Sequence, residues 1–275
     1  MLVIHTEVDR ESVRMYSASM TPSQPSQSQT EFVQALQEQV RRIENAHHRG
    51  GATISSGSPA LDRHLPDHGF QGGSLVEWVA LGEGAGAGTL AMLAAREACR
   101  SGGSLVVIDR RHTFYPPAAA SLGVELQRLI LVYPQNAKDH EWALDQTLRC
   151  AGAAAVVSWV ETIVEPRTFR RLQLAAEMGG SLGLLVRPYT ACKEPSWADL
   201  RLQVQPLAGA ASARRVRVEL LRCRGAGRGT AVELELCDET GKIDEAHPLP
   251  LAPPLAGPAV APGSAPTSIS GARPA

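Results

Sequence analysis

The stretch from Ser74 to Leu93 (SLVEWVALGEGAGAGTLAML) has the layout of a phosphate-binding loop. An apolar run leads into glycines at alternating positions, and an Ala-rich apolar pattern follows. A strand, a glycine turn and a helix in this order direct backbone N–H groups and a helix N-terminus at an anion. The candidate loop consists of Gly82, Glu83, Gly84, Ala85, Gly86, Ala87, Gly88 and Thr89.

Phosphate transfer also requires a lysine for the outer phosphates and a Ser or Thr hydroxyl for the metal ion. The two places just before Thr89 are occupied by Ala87 and Gly88, which supply neither group. The sequence therefore predicts a tight structural turn with no ligand, no cofactor and no catalytic residue. One alternative stays open, in which Gly84, Gly86 and the helix amides hold a nucleotide without turning it over.

Composition narrows the classes of function. The 275 residues are 44% hydrophobic and 20% charged, which is ordinary for a globular protein. Because the formal net charge is −1, any surface that binds nucleic acid must be a local basic patch. The low aromatic content of 4% argues against a surface on which the bases of a single strand stack. No apolar run is long enough to span a membrane. The five scattered cysteines contain no C-x-x-C, which predicts free core thiols, a reducing cytoplasm and no metal site.

The chain divides into four predicted segments. Residues 1–28 are rich in Ser, Gln and Pro and are expected to be disordered, as is the Pro/Ala-rich tail at 241–275. Residues 29–50 contain an amphipathic helix and a linker, and residues 51–240 form the folded core. The helix carries its apolar stripe at Phe32, Leu36 and Val40. It either packs on the edge of the core or docks on a partner, and one stripe does not separate these alternatives.

Within the core, apolar strands alternate with helical patterns, which predicts a mostly parallel sheet flanked by helices. A helix over Asp139–Cys150 is predicted to point Trp142, Leu144 and Leu148 inward. A second helix, Thr168–Met178, carries Arg170 and Arg171 on its exposed side. The predicted strands after the glycine loop are Ser104–Asp109, Leu129–Val132, Ala153–Val157, Leu182–Val186 and Ala198–Val204.

An arginine-rich hairpin is predicted near the end of the core. The alternating segments Arg214–Arg222 and Ala231–Cys237 are joined by a glycine-rich turn. Its outward face is either a solvated edge charged against aggregation or a surface for phosphates or an acidic partner. The arginines assigned to this face are Arg215, Arg217, Arg222, Arg224 and Arg228.

The segment ISSGSPALD at residues 54–62, then GFQGG at 69–73 and a strand with Glu77, resembles the opening of the RecA-type recombinase core. The glycine loop occupies the position of the Walker A motif in that core. The resemblance implies an acidic water-activating residue where this chain has Arg111, and a cation cannot act as a general base. The Walker B aspartate is replaced by Ser158 or Trp159, and Glu161 lies too far along the chain to substitute for it. The mobile DNA-binding loop is shortened to YTACKEPSW.

Several short motifs in order over residues 32–236 resemble the ImuA family, also met under SulA-like labels: ALQEQVRRIE, ISSGSPALDRHLP, RRLQLAAE, PSWADLRL and RVELLRCRG. This resemblance implies a non-catalytic RecA-like adaptor in damage-induced translesion synthesis, in the cytoplasm and at the nucleoid during repair. The implied partners are a polymerase-like ImuB-type protein and an error-prone C-family DNA polymerase. RecA is a further candidate, and direct DNA binding is left open. The alternatives are a nucleotide-binding or ATP-gated regulator of DNA repair and a SulA-type cell-division inhibitor.

Overall fold

The computed structural model describes residues 53–208, 214–223, 229–237 and 242–246. The predicted N-terminal helix with Phe32, Leu36 and Val40 lies outside the described residues, as do Arg224 and Arg228 of the hairpin turn.

Eleven strands and five α-helices make up the described chain. The strands are β1 (Thr53–Ile54), β2 (Phe70–Gln71), β3 (Leu75–Ala80), β4 (Ser104–Ile108), β5 (Leu129–Val132), β6 (Ala153–Trp159), β7 (Leu182–Arg187), β8 (Leu200–Leu207), β9 (Arg214–Cys223), β10 (Ala231–Cys237) and β11 (Lys242–Glu245). The helices are α1 (Pro59–Asp62), α2 (Ala87–Cys99), α3 (Pro116–Ser121), α4 (Ala137–Leu148) and α5 (Pro166–Gly179). Short 3-10 turns occur at Pro66–His68, Leu126–Arg128 and Tyr189–Lys193.

Nine of the strands form one sheet in the order β11-β10-β9-β8-β3-β7-β6-β4-β5. The six strands from β8 to β5 are parallel, and β9, β10 and β11 are added by antiparallel pairing. The predicted parallel sheet with an antiparallel hairpin is confirmed. Strand β11 was not predicted, and it makes β11 rather than β10 the edge of the sheet.

Two apolar layers cover the parallel part of the sheet. On one face, Leu90 and Leu93 of α2 pack in the same cluster as Trp78 of β3, and the antiparallel strands extend this cluster. On the other face, α4 and α5 lie side by side over the sheet, with Leu144 and Phe169 in the second cluster. Burial on both faces explains why the parallel strands are continuous apolar runs rather than alternating ones.

Local sequence signals fix the ends of the two outer helices. The Oδ1 atom of Asn136 accepts the backbone N–H of Asp139 at 2.9 Å, which caps the first turn of α4. Helix α5 begins at Pro166 and ends at Gly179, and the following residue, Gly180, has a φ of 71°. A left-handed residue at this place is the usual glycine stop of a helix.

Two side-chain predictions are wrong. Trp142 is 65% exposed on the outer side of α4, whereas Leu144 and Leu148 are buried as predicted. Cys150 is exposed, and Cys99, Cys192, Cys223 and Cys237 are only partly buried, so none of the five side chains is fully buried in the core. None of the described helices has the length and apolar character that crossing a membrane requires.

Candidate functional site

The residues singled out for chemistry meet at the carboxyl ends of the parallel strands, where open α/β sheets bind their ligands. The glycine loop follows β3, Arg111 follows β4, and Ser158 lies near the end of β6. The sequence therefore identified one connected edge of the sheet, although the residues come from three separate segments.

The glycine loop lines an open groove with a cavity volume of about 340 Å³. Gly82, Gly84 and Gly86 have φ values of 124°, 68° and 88°, which favour glycine over other residues. A β-carbon added at Gly82 or Gly84 would meet no atom within 4 Å, so this part of the loop faces open space. Ala85 and Ala87 are buried, and α2 starts at Ala87. The loop thus has the backbone of an anion cradle.

An indole ring covers the first turn of α2. A β-carbon at Gly88 would lie 3.6 Å from Cζ2 and 3.7 Å from Nε1 of Trp159, at the end of β6. Phe114 packs against the same indole, with ring centroids 6.1 Å apart. These separations are ordinary van der Waals contacts, so a β-carbon at position 88 would touch the indole ring without overlapping it.

One guanidinium that lines the groove is paired with carboxylates inside the protein. Arg187 ends β7 and its side chain is only 1% exposed. Its Nη1 lies 2.9 Å from Oε1 of Glu77, and its Nη2 lies 2.6 Å from Oε2 of Glu194. Oε2 of Glu77 is also 3.2 Å from Nε of Arg201. Two cations and two carboxylates thus form one buried network that stabilises the junction of β3, β7 and β8.

The carboxylates near the ends of β4 and β6 are already engaged. Asp109 is buried, and its two carboxylate oxygens accept the backbone N–H groups of Arg111 at 2.9 Å and Phe114 at 2.7 Å. Glu161 forms an ion pair with Arg111, with 2.6 Å between Oε2 and Nη2. Asp109 therefore holds the turn after β4, and Glu161 balances a surface cation.

Sequence reasoning missed one polar pair in this region. Ser158 is fully buried, and its Oγ lies 2.7 Å from Nε2 of His140 in α4. Burial of the ring, and then the charge of Arg110, lower the pKa of His140 below its usual value, while Glu141 raises it to a smaller extent. Burial and Arg110 thus disfavour the protonated form of His140. A single histidine in a helical pattern carries no sequence signal for this contact.

The arginine hairpin alternates with carboxylates. Arg215 is buried and pairs with Glu233 at 3.5 Å and Glu235 at 3.4 Å. Arg217 is exposed and lies opposite Glu233 in the ladder between β9 and β10, while Arg222 is partly buried. The described part of this face is thus a mixed-charge ladder.

The two arginines predicted on the exposed side of α5 do lie there. Arg171 makes ion pairs with Glu141 and with Asp145 of α4. Arg170 donates to Oε1 of Gln173 within its own helix, at 2.7 Å. Within the described residues, no three His, Cys, Asp or Glu side chains form a group suited to a metal ion.

The strand order and the glycine loop at the end of the central strand define a RecA-like α/β core. The RadB recombinase has a similar crystal structure, with a TM-score of 0.56 and 17% sequence identity over 70% of this chain and 100% of that chain. The RecA N-terminal domain family matches residues 32–181, more than half of the chain, and the chain belongs to that family.

Bacterial RecA proteins are similar over the same region. Protein RecA of Picosynechococcus sp. is 31% identical over 149 residues, which are 54% of this chain and 41% of that protein. Protein RecA of Chlorobaculum parvum is 35% identical over 137 residues, which are 49% of this chain and 38% of that protein. The chain thus spans about two fifths of the length of these curated relatives.

Proposed function

We propose that this chain is a non-catalytic member of the RecA family that acts as a protein–protein adaptor in damage-induced mutagenesis. The observation that carries the proposal is the indole of Trp159 packed beside Gly88 at the first turn of α2. A working phosphate site needs a metal-binding hydroxyl and an acidic residue in this neighbourhood. Here Gly88 supplies only a hydrogen atom, and the acid position at the end of β6 is taken by Ser158 or Trp159.

The residues present do not fit a magnesium triphosphate. Of the described residues that line the groove, the cations are Arg187 and Arg214 and none is a lysine. The guanidinium of Arg187 is already balanced by two carboxylates. The carboxylates at the groove, those of Glu83 and Glu161, would repel a polyphosphate, and Glu161 is held by Arg111.

The loss of affinity for a metal–triphosphate follows from the energies of the missing hydrogen bonds. Each hydrogen bond to a charged group contributes about 1.5–3 kcal/mol, so removing one weakens binding roughly tenfold to a hundredfold. Ala87 and Gly88 each lack such a contact. Together they weaken the binding of a metal–triphosphate by about two to four orders of magnitude, before the missing general base is considered.

The adaptor role rests on the resemblance to the ImuA family and on exposed apolar side chains. Trp142 on α4 and Trp197 before β8 are 65% and 48% exposed, and exposed tryptophans are typical anchors of protein interfaces. The proposed partners are a polymerase-like ImuB-type protein and an error-prone C-family DNA polymerase, with RecA as a further candidate. The proposed location is the cytoplasm, with association with the nucleoid during repair.

The test is co-purification of the full chain with the polymerase-like partner, with magnesium ATP and after enzymatic removal of ATP. An adaptor forms the same amount of complex in both conditions. The matched variants are Trp142→Ser, which removes a proposed anchor, and Met178→Ser, which removes a similarly exposed apolar side chain from α5. Complex that forms only with ATP would overturn the nucleotide-independent role.

A second candidate function is a nucleotide-gated regulator of DNA repair. It is favoured by the open groove and by the left-handed glycines, whose backbone can still approach an anion. The same experiment separates the two functions, because only the regulator makes partner binding depend on ATP.

A further inference from the structure

The two edges of the nine-stranded sheet differ in chemical character. At one edge, β11 has the sequence KIDE, in which three of four residues are charged. At the other edge, β5 has the sequence LILV and pairs, within the described residues, with β4 alone. Charged side chains keep an edge strand from pairing with another chain, whereas an uncharged apolar edge lacks this protection. The edge at β5 is therefore open to the addition of a further strand.

The apolar side chains at this edge are partly in solvent. Ile130, inside β5, is 50% exposed, and the flanking Leu126 and Tyr133 are 42% and 39% exposed. Leu129 and Leu131 pack against the apolar cluster under α2, so Ile130 points to the opposite face of the strand. An apolar strip thus runs along this side of the sheet.

The pairing of β5 with β4 determines which backbone groups point outward. The carbonyl oxygen of Val132 accepts the N–H of Asp109, at the end of β4, at 3.0 Å. Backbone groups of alternate residues in a strand point to the same side. Those of Ile130 therefore point toward β4, and those of Leu129 and Leu131 point away from the sheet. No strand in the described part of the chain pairs with these outward groups.

We propose that β5 pairs with β5 of a second copy of this chain, in an antiparallel arrangement centred on Ile130. The two sheets then join into one continuous sheet. Ile130 lies opposite Ile130 of the second copy, on the same face of the joined sheet, and Leu129 lies opposite Leu131 of the second copy. The outward N–H and C=O groups of each Leu129–Leu131 pair exchange hydrogen bonds across the junction.

Charge and symmetry favour a second copy as the occupant of this edge. Every side chain of β5 is uncharged and apolar, so each copy supplies the surface that the other needs. With Ile130 on the two-fold axis, Arg128 falls opposite Val132, so no like charges face each other. The same patch is used by both copies, so the assembly closes at two chains. The charged strand β11 then forms both outer edges of the joined sheet.

The first test is the mass of the full chain in solution, measured by sedimentation equilibrium over a range of protein concentrations. Three proteins are compared: the unchanged chain, Ile130→Lys and Ile163→Lys. Ile163 is a matched control, because it is an isoleucine that is 75% exposed in the loop after β6, outside β5. We expect a monomer–dimer equilibrium. Its dissociation constant should rise at least tenfold in Ile130→Lys, where two positive charges would face each other, and less than twofold in Ile163→Lys.

The second test locates the junction by cross-linking. The backbone groups of Ile130 point toward β4, so the two copies of this residue form a non-hydrogen-bonded pair, with Cα atoms about 4.5 Å apart. A disulfide spans about 4.4–6.8 Å between Cα atoms. Mild oxidation should therefore convert Ile130→Cys into a covalent dimer. Ile163→Cys and the unchanged chain, which has the exposed Cys150, provide the background level.

Four results would overturn the proposal. The first is a chain that stays monomeric at every concentration tested, and the second is growth into oligomers larger than a dimer. The third is an equal weakening of the dimer by the two lysine substitutions. The fourth is a yield of covalent dimer from Ile130→Cys that does not exceed the yield from Ile163→Cys.

Discussion

Replacing Arg187 by methionine should destabilise the protein strongly without touching its apolar core. The change leaves Glu77, which is fully buried, with only Arg201 at 3.2 Å as a counter-charge. It also removes the partner of Glu194. Removing one member of a buried ion pair costs about 3–5 kcal/mol, because the remaining charge stays in a medium of low polarity.

The expected loss in the free energy of unfolding corresponds to a large decrease in the midpoint temperature of thermal unfolding. For a domain of roughly 150–250 residues, 1 kcal/mol lowers the midpoint by about 2–4 °C. Arg187→Met should therefore lower it by about 6–20 °C. Thermal unfolding followed by circular dichroism measures the shift, and urea unfolding gives the free energy.

A surface pair is the matched control. Arg63 and Glu245 are joined at 2.5 Å, but their side chains are 63% and 59% exposed. Water screens this pair, so Arg63→Met should cost about 0–1 kcal/mol in spite of the shorter distance. Equal losses in the two variants would refute the reasoning, because burial would then not determine the energy of these ion pairs.

Two further predictions concern α4 and α5. His140 has its pKa lowered in the folded chain, so below its usual value of 6.5 the unfolded chain binds the proton more readily. The free energy of unfolding should therefore decrease as the pH falls below about 6.5. In His140→Gln this decrease should disappear. Urea unfolding at several pH values measures the free energy in both proteins. At the close contact of the two helices, a β-carbon on Gly179 would lie 2.1 Å from the carbonyl oxygen of Leu148. Gly179→Ala should cost about 1–3 kcal/mol or more in urea unfolding, whereas Glu177→Ala, on the exposed side of α5, should cost less than about 0.5 kcal/mol.

Most of the sheet could be predicted from the sequence because its parallel strands are uninterrupted apolar runs. Strand β10 was predicted with its observed bounds, Ala231–Cys237. Strand β11 was missed because KIDE has four residues, three of them charged, and no clear pattern. Its pairing depends on the adjacent edge of β10, which is a tertiary property.

The position of Trp142 shows a limit of helical periodicity. The helix α4 buries Leu144 and Leu148, and Trp142 lies two residues before Leu144, which places it on a different side of the helix. Counting apolar residues favoured burial of the tryptophan, but the spacing favoured exposure. A large apolar residue off the main stripe is therefore better interpreted as an exposed side chain.

The candidate site could be predicted in part. The glycine loop, Ala87, Gly88, Arg111 and Ser158 were identified because motif spacing is local. The network between Glu77 and Arg187 was not predicted, because its members are 110 positions apart and meet only when β3 and β7 pair. A glutamate inside the apolar run of β3 was the one available signal that a buried cation would be found opposite it.

The most direct test of the non-catalytic account is calorimetric titration of the purified chain with magnesium ATP. The account predicts no saturable heat at micromolar concentrations, since the described lining of the groove has no lysine, position 88 has no hydroxyl, and Trp159 packs beside the turn. Repeating the titration with Trp159→Ala shows how far the indole alone hinders binding. Micromolar binding of magnesium ATP to the unchanged chain, with release of inorganic phosphate, would contradict the account.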